Sequence, residues 1–513
     1  MSPVMMQSNV NRRLLLGAVA AVFVTLAVLS ALSRRPWSDE GWFAAPAWNL
    51  ATHGVMGTPV LEAEGWLRGI KEHTYWVMPL HLVTQAAWFR ALGFSLLSQR
   101  LLSTCFGLLA LVAIAVIVRR LSDDRRAGAL AFALLAFDYT FINGASFGRM
   151  DVMCAALGLS ALAVYLTLRE RHLKLAVLLS HALTVLSGMT HFNGLLWLAG
   201  LLFLTSYFDR ARLTWQLAVI AAMPYLIGAS AWSVYILQDP VSFWSQFTGN
   251  AATGGRLRGL AAPWQGFIRE ATERYFTAFG LGAHSAGHSA LAKLKVVILV
   301  VYLLGIIGAV STRAIRQHRG CRALLLLTLL VFCIMALLDG QKLAWYLVHI
   351  IPFYAAILAV SLSHSFNDSR ARRHLAFAVM TVLIAVQLGG ITQRIRLNSF
   401  RHSYQPAVSF LKQHAGPQAL VMGSAELGFD LGFDARLIDD PYLGCRSGKR
   451  ADYIVVEEIY EDSFSGSQRE RPAIYQHITR LLAHDYRLVY DHNFYRIYAR
   501  APQSGELAAN GGN

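Results

Sequence analysis

Three short stretches hold the residue types that a group transfer at a membrane surface would need. The first is Trp37-Ser38-Asp39-Glu40-Gly41-Trp42, an adjacent acidic pair flanked by indoles. A carboxylate there could take the proton from an attacking hydroxyl. The same residues also read as a helix start, with Ser38 or Asp39 capping a helix through Asn49. The second is Gly148-Arg149-Met150-Asp151, where an Asp opening a helix suits the positive end of the helix dipole, and capping alone would explain it. The third is Asp339-Gly340-Gln341-Lys342 leading through Trp345-Tyr346 and His349 to Pro352. It sets a cation and two aromatics at the end of an apolar run, the depth at which the phosphate of a membrane lipid lies. Lys342 also fits a snorkelling anchor, and Trp345 and Tyr346 an interfacial aromatic belt.

The elements that must position these residues are membrane helices. Of 513 residues, 55% are hydrophobic and 15% charged, and the mean hydropathy is +0.43, too apolar for a soluble enzyme of this length. The fold class expected is a polytopic α-helical membrane protein with about 11 spans: Leu14–Leu32, Arg100–Val118, Ala127–Ser146, Val152–Leu168, Leu175–Met189, Phe192–Tyr207, Leu213–Ile236, Lys295–Thr312, Ala323–Leu338, Leu343–Ser363 and Leu375–Leu388. The net charge of +16 sits in short loops between these runs, where the bias of Lys and Arg toward the cytoplasm accounts for it. No nucleic-acid motif is present, so no nucleic-acid partner is expected. The five cysteines have no CxxC or Cys/His spacing, so neither a disulfide framework nor a zinc site is implied.

The basic loops 119–126, 169–174, 210–212, 313–322 and 370–373 are expected to be cytoplasmic together with the N-terminus. Loops 33–99 and 238–294 then face outward, and Arg34 and Arg35 are the exception to the bias. The segment Tyr75–Phe94 would break this alternation if it crossed. It is expected to lie along the outer surface, with Trp76, Trp88 and Phe89 in the interface. Residues 1–395 would form the transmembrane module. Residues 396–501, where charge and Gly/Pro punctuation return, would form a small extracytoplasmic α/β domain, and 502–513 a flexible tail. Within the α/β region, strands are expected at Leu420–Gly423, Tyr453–Val456, Arg487–Tyr490 and Phe494–Ala499, and helices at Gln405–His414 and Pro472–His484.

Taken together, an Asp-Glu after the first span, Arg-x-Asp opening a later one, and Lys-x-x-Trp-Tyr followed six residues on by Pro resemble the membrane glycosyltransferases of the GT-C fold. The pattern is most similar to the branch of protein O-mannosyltransferases and lipid A aminoarabinose transferases. Arg100-Leu-Leu-Ser and Gly188-Met-Thr-His191-Phe-Asn-Gly194 extend the match. Where that branch has Lys-Pro-Pro-Leu, this chain has Lys71-Glu72-His73-Thr74-Tyr75, and His191 stands where relatives often carry a lysine.

The resemblance implies an inverting glycosyltransferase that moves one sugar from a polyprenyl-phosphate carrier to a lipid, polysaccharide or protein acceptor. It would work at the outer face of a cell inner membrane, among membrane lipids. It implies Asp39 as base, Glu40 and Asp151 as its acidic partners, and Lys342, Tyr346, His191, Arg149 and Lys71 around the donor phosphate. No cofactor and no divalent metal are expected, although Asp39, Glu40 and Asp151 would suit one if they converged. An arginine of the second outer loop, Arg256, Arg258, Arg269 or Arg274, would help at the phosphate, and Gly249, Gly254, Gly255 and Gly259 make that loop either a lid that orders on substrate or merely a mobile loop. The competing reading is a lipid or sugar transporter or flippase. The gathering of polar residues at one membrane boundary rather than at mid-membrane depth argues against it.

Overall fold

Apolar runs inside a bilayer must satisfy their own backbone polar groups, and helices do this within one segment. In the computed structural model, which describes residues 3–63, 65–253, 261–282 and 293–502, each of the expected runs is helical. The first ten helices are α1 (Pro3–Ser33), α2 (Ser38–His53), α3 (Pro79–Leu92), α4 (Leu96–Ser122), α5 (Arg125–Ala136), α6 (Tyr139–Ala145), α7 (Asp151–Leu168), α8 (Leu173–Thr190), α9 (Gly194–Asp209) and α10 (Trp215–Ile236). Lys295–Ser311, Arg319–Leu338, Ile351–Phe366 and Arg370–Leu397 follow. Seven described helices are long and apolar enough to cross a membrane, or eight if α5 and α6 form one bent span; Lys295–Ser311 and Ile351–Phe366 are apolar but shorter.

The 67° bend between α5 and α6 has a local cause. Asp138 accepts the N–H of Phe141 at 2.7 Å, starting a new helix in mid-span, and is itself bound by Tyr302 (2.7 Å) and Gln387 (2.9 Å). Helix α7 is the centre of the bundle, packed on α4, α8 and α9. Trp197 of α9, fully buried, lies in a notch at Gly158, where any Cβ would overlap the indole. Such close approach is what a small residue at a helix crossing permits.

Segment Tyr75–Phe94 becomes a helix only from Pro79, which pre-sets φ at the first helical position. Tyr75 before it is held extended, its N–H on Gln246 (2.7 Å) and its hydroxyl on the carbonyl of Tyr235 (2.9 Å). The aromatics expected in the interface turn inward instead. Phe89 is buried, Trp88 bonds the carbonyl of Ser98 (2.8 Å), and Trp76 packs on Phe43 and Trp42. Arg34 and Arg35 are explained by tertiary partners. Arg34 bonds Asn143 (3.0 Å) and lies 3.8 Å over Phe147, while Arg35 pairs with Glu458 and stacks on Phe494.

The C-terminal region folds into a five-stranded sheet of β1 (Val421–Met422), β2 (Leu437–Ile438), β3 (Tyr453–Val456), β4 (Tyr486–His492) and β5 (Tyr495–Arg500) in the order β2-β1-β3-β5-β4. β1 pairs in parallel with β2 and β3, and β5 antiparallel with β3 and β4. Gln405–His414, Glu458–Glu470 and Pro472–His484 are its helices. This layer is built onto the segment between α1 and α4. Leu61 bridges Asp439 in parallel, and Ala44, Ala45 and Val60 share a core with Tyr404, Val421, Leu427 and Val455. Part of the second outer loop, with Arg256, Arg258, Gly254, Gly255 and Gly259, and the tail from 503 lie outside the described residues.

Candidate active site

Asp39 and Glu40 are neighbours in the first turn of α2, and successive helical residues point about 100° apart, so the pair divides. Glu40 turns inward and is fully buried. Its carboxylate receives Arg100 Nε (2.8 Å) and Nη2 (2.6 Å), the N–H of Gly148 (2.7 Å) and the N–H of Trp37 (3.3 Å). The last bond is the return half of a capping box; Ser38 and Asp39 do not supply the cap. Arg100, also fully buried, completes its bonds on the carbonyls of Ala31 (2.5 Å), Arg34 (2.8 Å) and Arg35 (3.1 Å). Gln99 ties the carbonyl of Glu40 (3.1 Å) to that of Gly148 (2.7 Å), and a Cβ at Gly148 would strike it. Glu40 therefore pins the start of α2 to the start of α7.

Asp39 faces the other way, its side chain 19% exposed, and pairs with Arg149. The same guanidinium reaches Asp151 at 2.8 Å through Nε. Arg149 thus bridges two carboxylates delivered by separate outer turns, under the rings of Trp345 (5.0 Å), Phe43 (5.5 Å) and Phe147 (6.0 Å). Asp39, Arg149, Phe43 and Trp345 line a cavity of about 340 Å³ walled also by Trp37, Trp42, Trp66 and Trp76, with His191 and Tyr346 in its lining; Asp151 and Phe147 lie behind it. Ile459, from the C-terminal layer, completes the wall. Indole faces around a carboxylate suit a sugar ring, whose C–H faces are apolar and whose rim is polar.

A second cavity of about 290 Å³ shares Phe192, Asn250 and Tyr346 with the first and continues between apolar residues such as Leu195, Leu196, Ile334 and Leu338. A third, about 790 Å³ and mostly apolar, lies among α3, α8 and α10 with Glu72, His73 and Gln238 at its margin.

The expected phosphate cations divide similarly. Arg149 and His191 line the 340 Å³ cavity, and the His191 ring packs at a tilt against Tyr346, 5.3 Å between centroids. Lys342 does not line it. Its buried amine donates to Glu270 (3.0 Å) and to the last-turn carbonyls of Met335 (3.3 Å) and Ala336 (2.6 Å), a C-terminal cap on Arg319–Leu338. Arg274 joins this group through Glu270 (2.6 Å) and Asp339, and Arg269 bonds the carbonyl of Gly340 (3.0 Å). Lys71, partly exposed, is 3.4 Å from Glu62. The sequence reading did not single out the wall indoles Trp66 and Trp76 as site residues, and it placed His349 in the third stretch without giving it a role. Among the described residues, Asp151, His191 and His349 present ligand atoms within 4.8 Å of one another, a grouping invisible in a sequence that separates them by whole spans.

No family model and no curated protein matches the chain. Solved structures do. ArnT from Cupriavidus metallidurans, bound to undecaprenyl phosphate, aligns with TM-score 0.58 at 15% identity, over 96% of this chain and 99% of that one. The oligosaccharyltransferase of Archaeoglobus fulgidus, in complex with Zn and sulfate, aligns with TM-score 0.55 at 12% identity, over 94% of this chain and 73% of that one. The same organism's AglB, in complex with an inhibitory peptide and a dolichol-phosphate, aligns with TM-score 0.50 at 12% identity, over 85% and 69%. At these identities the likeness is one of fold, and that fold is the GT-C architecture of a lipid A aminoarabinose transferase and an oligosaccharyltransferase.

Proposed function

We propose that this multi-pass membrane protein is an inverting glycosyltransferase that takes a monosaccharide from a polyprenyl-phosphate carrier and passes it to an acceptor at the outer face of the membrane. The observation that carries the reading is Asp39, a carboxylate turned into an indole-walled cavity that opens into an apolar groove. A sugar fits the first space and the start of a prenyl chain the second. The two spaces share Phe192, Asn250 and Tyr346, and a phosphate at that junction would lie by Tyr346 and its ring neighbour His191. The undecaprenyl phosphate bound to ArnT and the dolichol-phosphate bound to AglB support a lipid-linked donor.

In this reading Asp39 accepts the proton of the acceptor hydroxyl as it attacks the anomeric carbon, and Arg149 holds Asp39 and Asp151 at a fixed separation. The developing charge on the leaving phosphate is met by Arg149, His191 and the Tyr346 hydroxyl. Glu40 acts through the scaffold. A direct phosphate contact from Lys342 or Lys71 requires its amine to leave Glu270 or Glu62. The natural setting is a bacterial inner membrane with the N-terminus cytoplasmic, residues 1–395 as catalytic module and 396–501 outside. Ile459 in the cavity wall supports a part for the outer region in choosing among lipid, polysaccharide and protein acceptors.

The test is sugar release from a panel of radiolabelled polyprenyl-phosphate hexoses and pentoses, in purified membranes supplied with an acceptor-bearing extract. The intact protein should consume one donor, and Asp39→Asn should lower that rate by about 10²–10⁴, the usual contribution of a general base. Consumption of no donor, or full activity in Asp39→Asn, would refute the reading.

A further inference from the structure

The cations lining the cavity are few and committed. Arg149 is divided between Asp39 and Asp151, and the nearest lysine of the third motif, Lys342, is bound to Glu270 behind the wall. Joined to Arg149 through Asp151 is a group of three side chains, of which the proposed chemistry sets Asp151 against Arg149 and His191 by the phosphate and gives His349 no part. Asp151, His191 and His349 are each buried, with exposures of 3%, 6% and 0%. They come from the start of α7, the end of α8 and the turn before Ile351–Phe366, and offer one ligand atom apiece within 4.8 Å of each other. Neither ring nitrogen of His349 has a hydrogen-bond partner, nor has Oδ1 of Asp151, whose Oδ2 takes Arg149. Buried polar atoms left so are rare, because each costs its full desolvation unless something fills the gap.

We infer that Asp151, His191 and His349 bind a divalent transition metal of the zinc class just behind the cavity lining, which His191 alone of the three reaches. Two imidazoles and one carboxylate are a donor set that such ions take when a fourth position is left open. Bonds of about 2.1 Å would set tetrahedral ligand atoms roughly 3.4 Å apart, so the group closes by side-chain rotation of about an ångström. On loading, His191 gives up the Asn193 N–H it accepts at Nδ1 (3.1 Å), because binding through Nδ1 uses that lone pair and binding through Nε2 moves the ring proton onto Nδ1. Arg149 stays on Oδ2 of Asp151 as an outer partner, and His191, which lines the cavity, sets the open position toward it. Binding stands on these residues alone. The ion's part as a counter-charge to the donor phosphate rests on the glycosyltransferase reading.

The experiment uses the full chain purified in detergent, stripped with a chelator and passed through size exclusion, then titrated with Zn²⁺ or Co²⁺. We expect about one Zn²⁺ per chain by elemental analysis and the visible absorption of four-coordinate Co²⁺. His349→Ala and Asp151→Asn should each weaken Zn²⁺ at least about 10–100-fold, no less than loss of an outer-shell partner does. Failure of the intact protein to retain metal, or unchanged affinity in a folded His349→Ala, overturns the site. Metal retained with no donor consumed would leave the site and sink the transferase; donor consumed by a chain that binds no metal would do the reverse.

Discussion

Asp39 and Glu40 share a motif, yet their surroundings give them opposite work, and substitution should separate them. Asp39 is partly exposed in the cavity and makes one ion pair, so Asp39→Asn is expected to abolish transfer while leaving the thermal midpoint within a degree or two. Glu40 is saturated by a buried guanidinium and two backbone N–H groups. Removing its charge strands Arg100 in the core, a change that typically costs about 3–5 kcal/mol. Glu40→Gln should therefore lower the unfolding midpoint, followed by the fluorescence of a thiol-reactive dye or by tryptophan emission, with activity lost in proportion to the folded fraction. A normal midpoint in Glu40→Gln would mean that Arg100 finds another partner. Lys342 follows the same logic. Its amine caps a helix and pairs with Glu270, so Lys342→Ala should first show as lost stability rather than as a raised KM for donor.

At the scale of elements, what could be read from the sequence was what repeats or runs. Each apolar run announced a helix, and the strand Tyr453–Val456 and helices Gln405–His414 and Pro472–His484 fall where composition and periodicity put them. The misses have physical causes. β2 is two residues long, too short to show alternation. Glu458–Glu470 carries Ser-Phe-Ser-Gly-Ser in its middle, a composition that disfavours helix locally and yields only to packing against the sheet. The aromatics Trp76, Trp88 and Phe89 were legible as interfacial but not as inward-facing, because their partners are the separate elements α2 and the start of α4, whose packing against this segment leaves no mark on its own pattern. The site divides the same way. The acidic pair and Arg149 were visible as motifs, whereas the union of Asp151, His191 and His349 exists only once α7, α8 and the turn after Lys342 are packed. That packing depends on close contacts such as Gly158 under Trp197. Gly158→Val should push α9 off α7 and destabilise the bundle by about 1–3 kcal/mol, as overpacking does. A thermal midpoint equal to that of the unmodified protein would show that the notch is slack.

Across the whole molecule, the helical bundle and the C-terminal sheet layer meet on buried charge. Asp439 accepts the indole N–H of Trp42 (2.8 Å), the N–H of Ala425 (2.9 Å) and the hydroxyl of Tyr460 (3.1 Å), and burial pushes its carboxyl up to about 6. Beside it, burial raises both Glu426 and Glu457; the charge of Glu426 raises Glu457 further, Glu40 and Asp439 raise Glu426, and Arg35 pulls both in the opposite direction without prevailing. The pair therefore keeps a proton at neutral pH that the unfolded chain, with ordinary carboxyls, has already released. A folded-state value above the unfolded one means that the native state binds more protons, so stability falls as pH rises through the folded values. Below about pH 6.5 the sign is opposed by buried His81, pushed down to about 4 by desolvation, so the clean window is alkaline. Between about pH 7 and pH 9 the unfolding midpoint of the intact protein should fall, and Glu457→Gln, a neutral mimic of the protonated acid, should flatten that slope and raise the midpoint at the alkaline end. A midpoint that does not move between those values, or one that falls equally in Glu457→Gln, would place the alkaline sensitivity elsewhere than at the seam through which the outer layer lends Ile459 to the cavity.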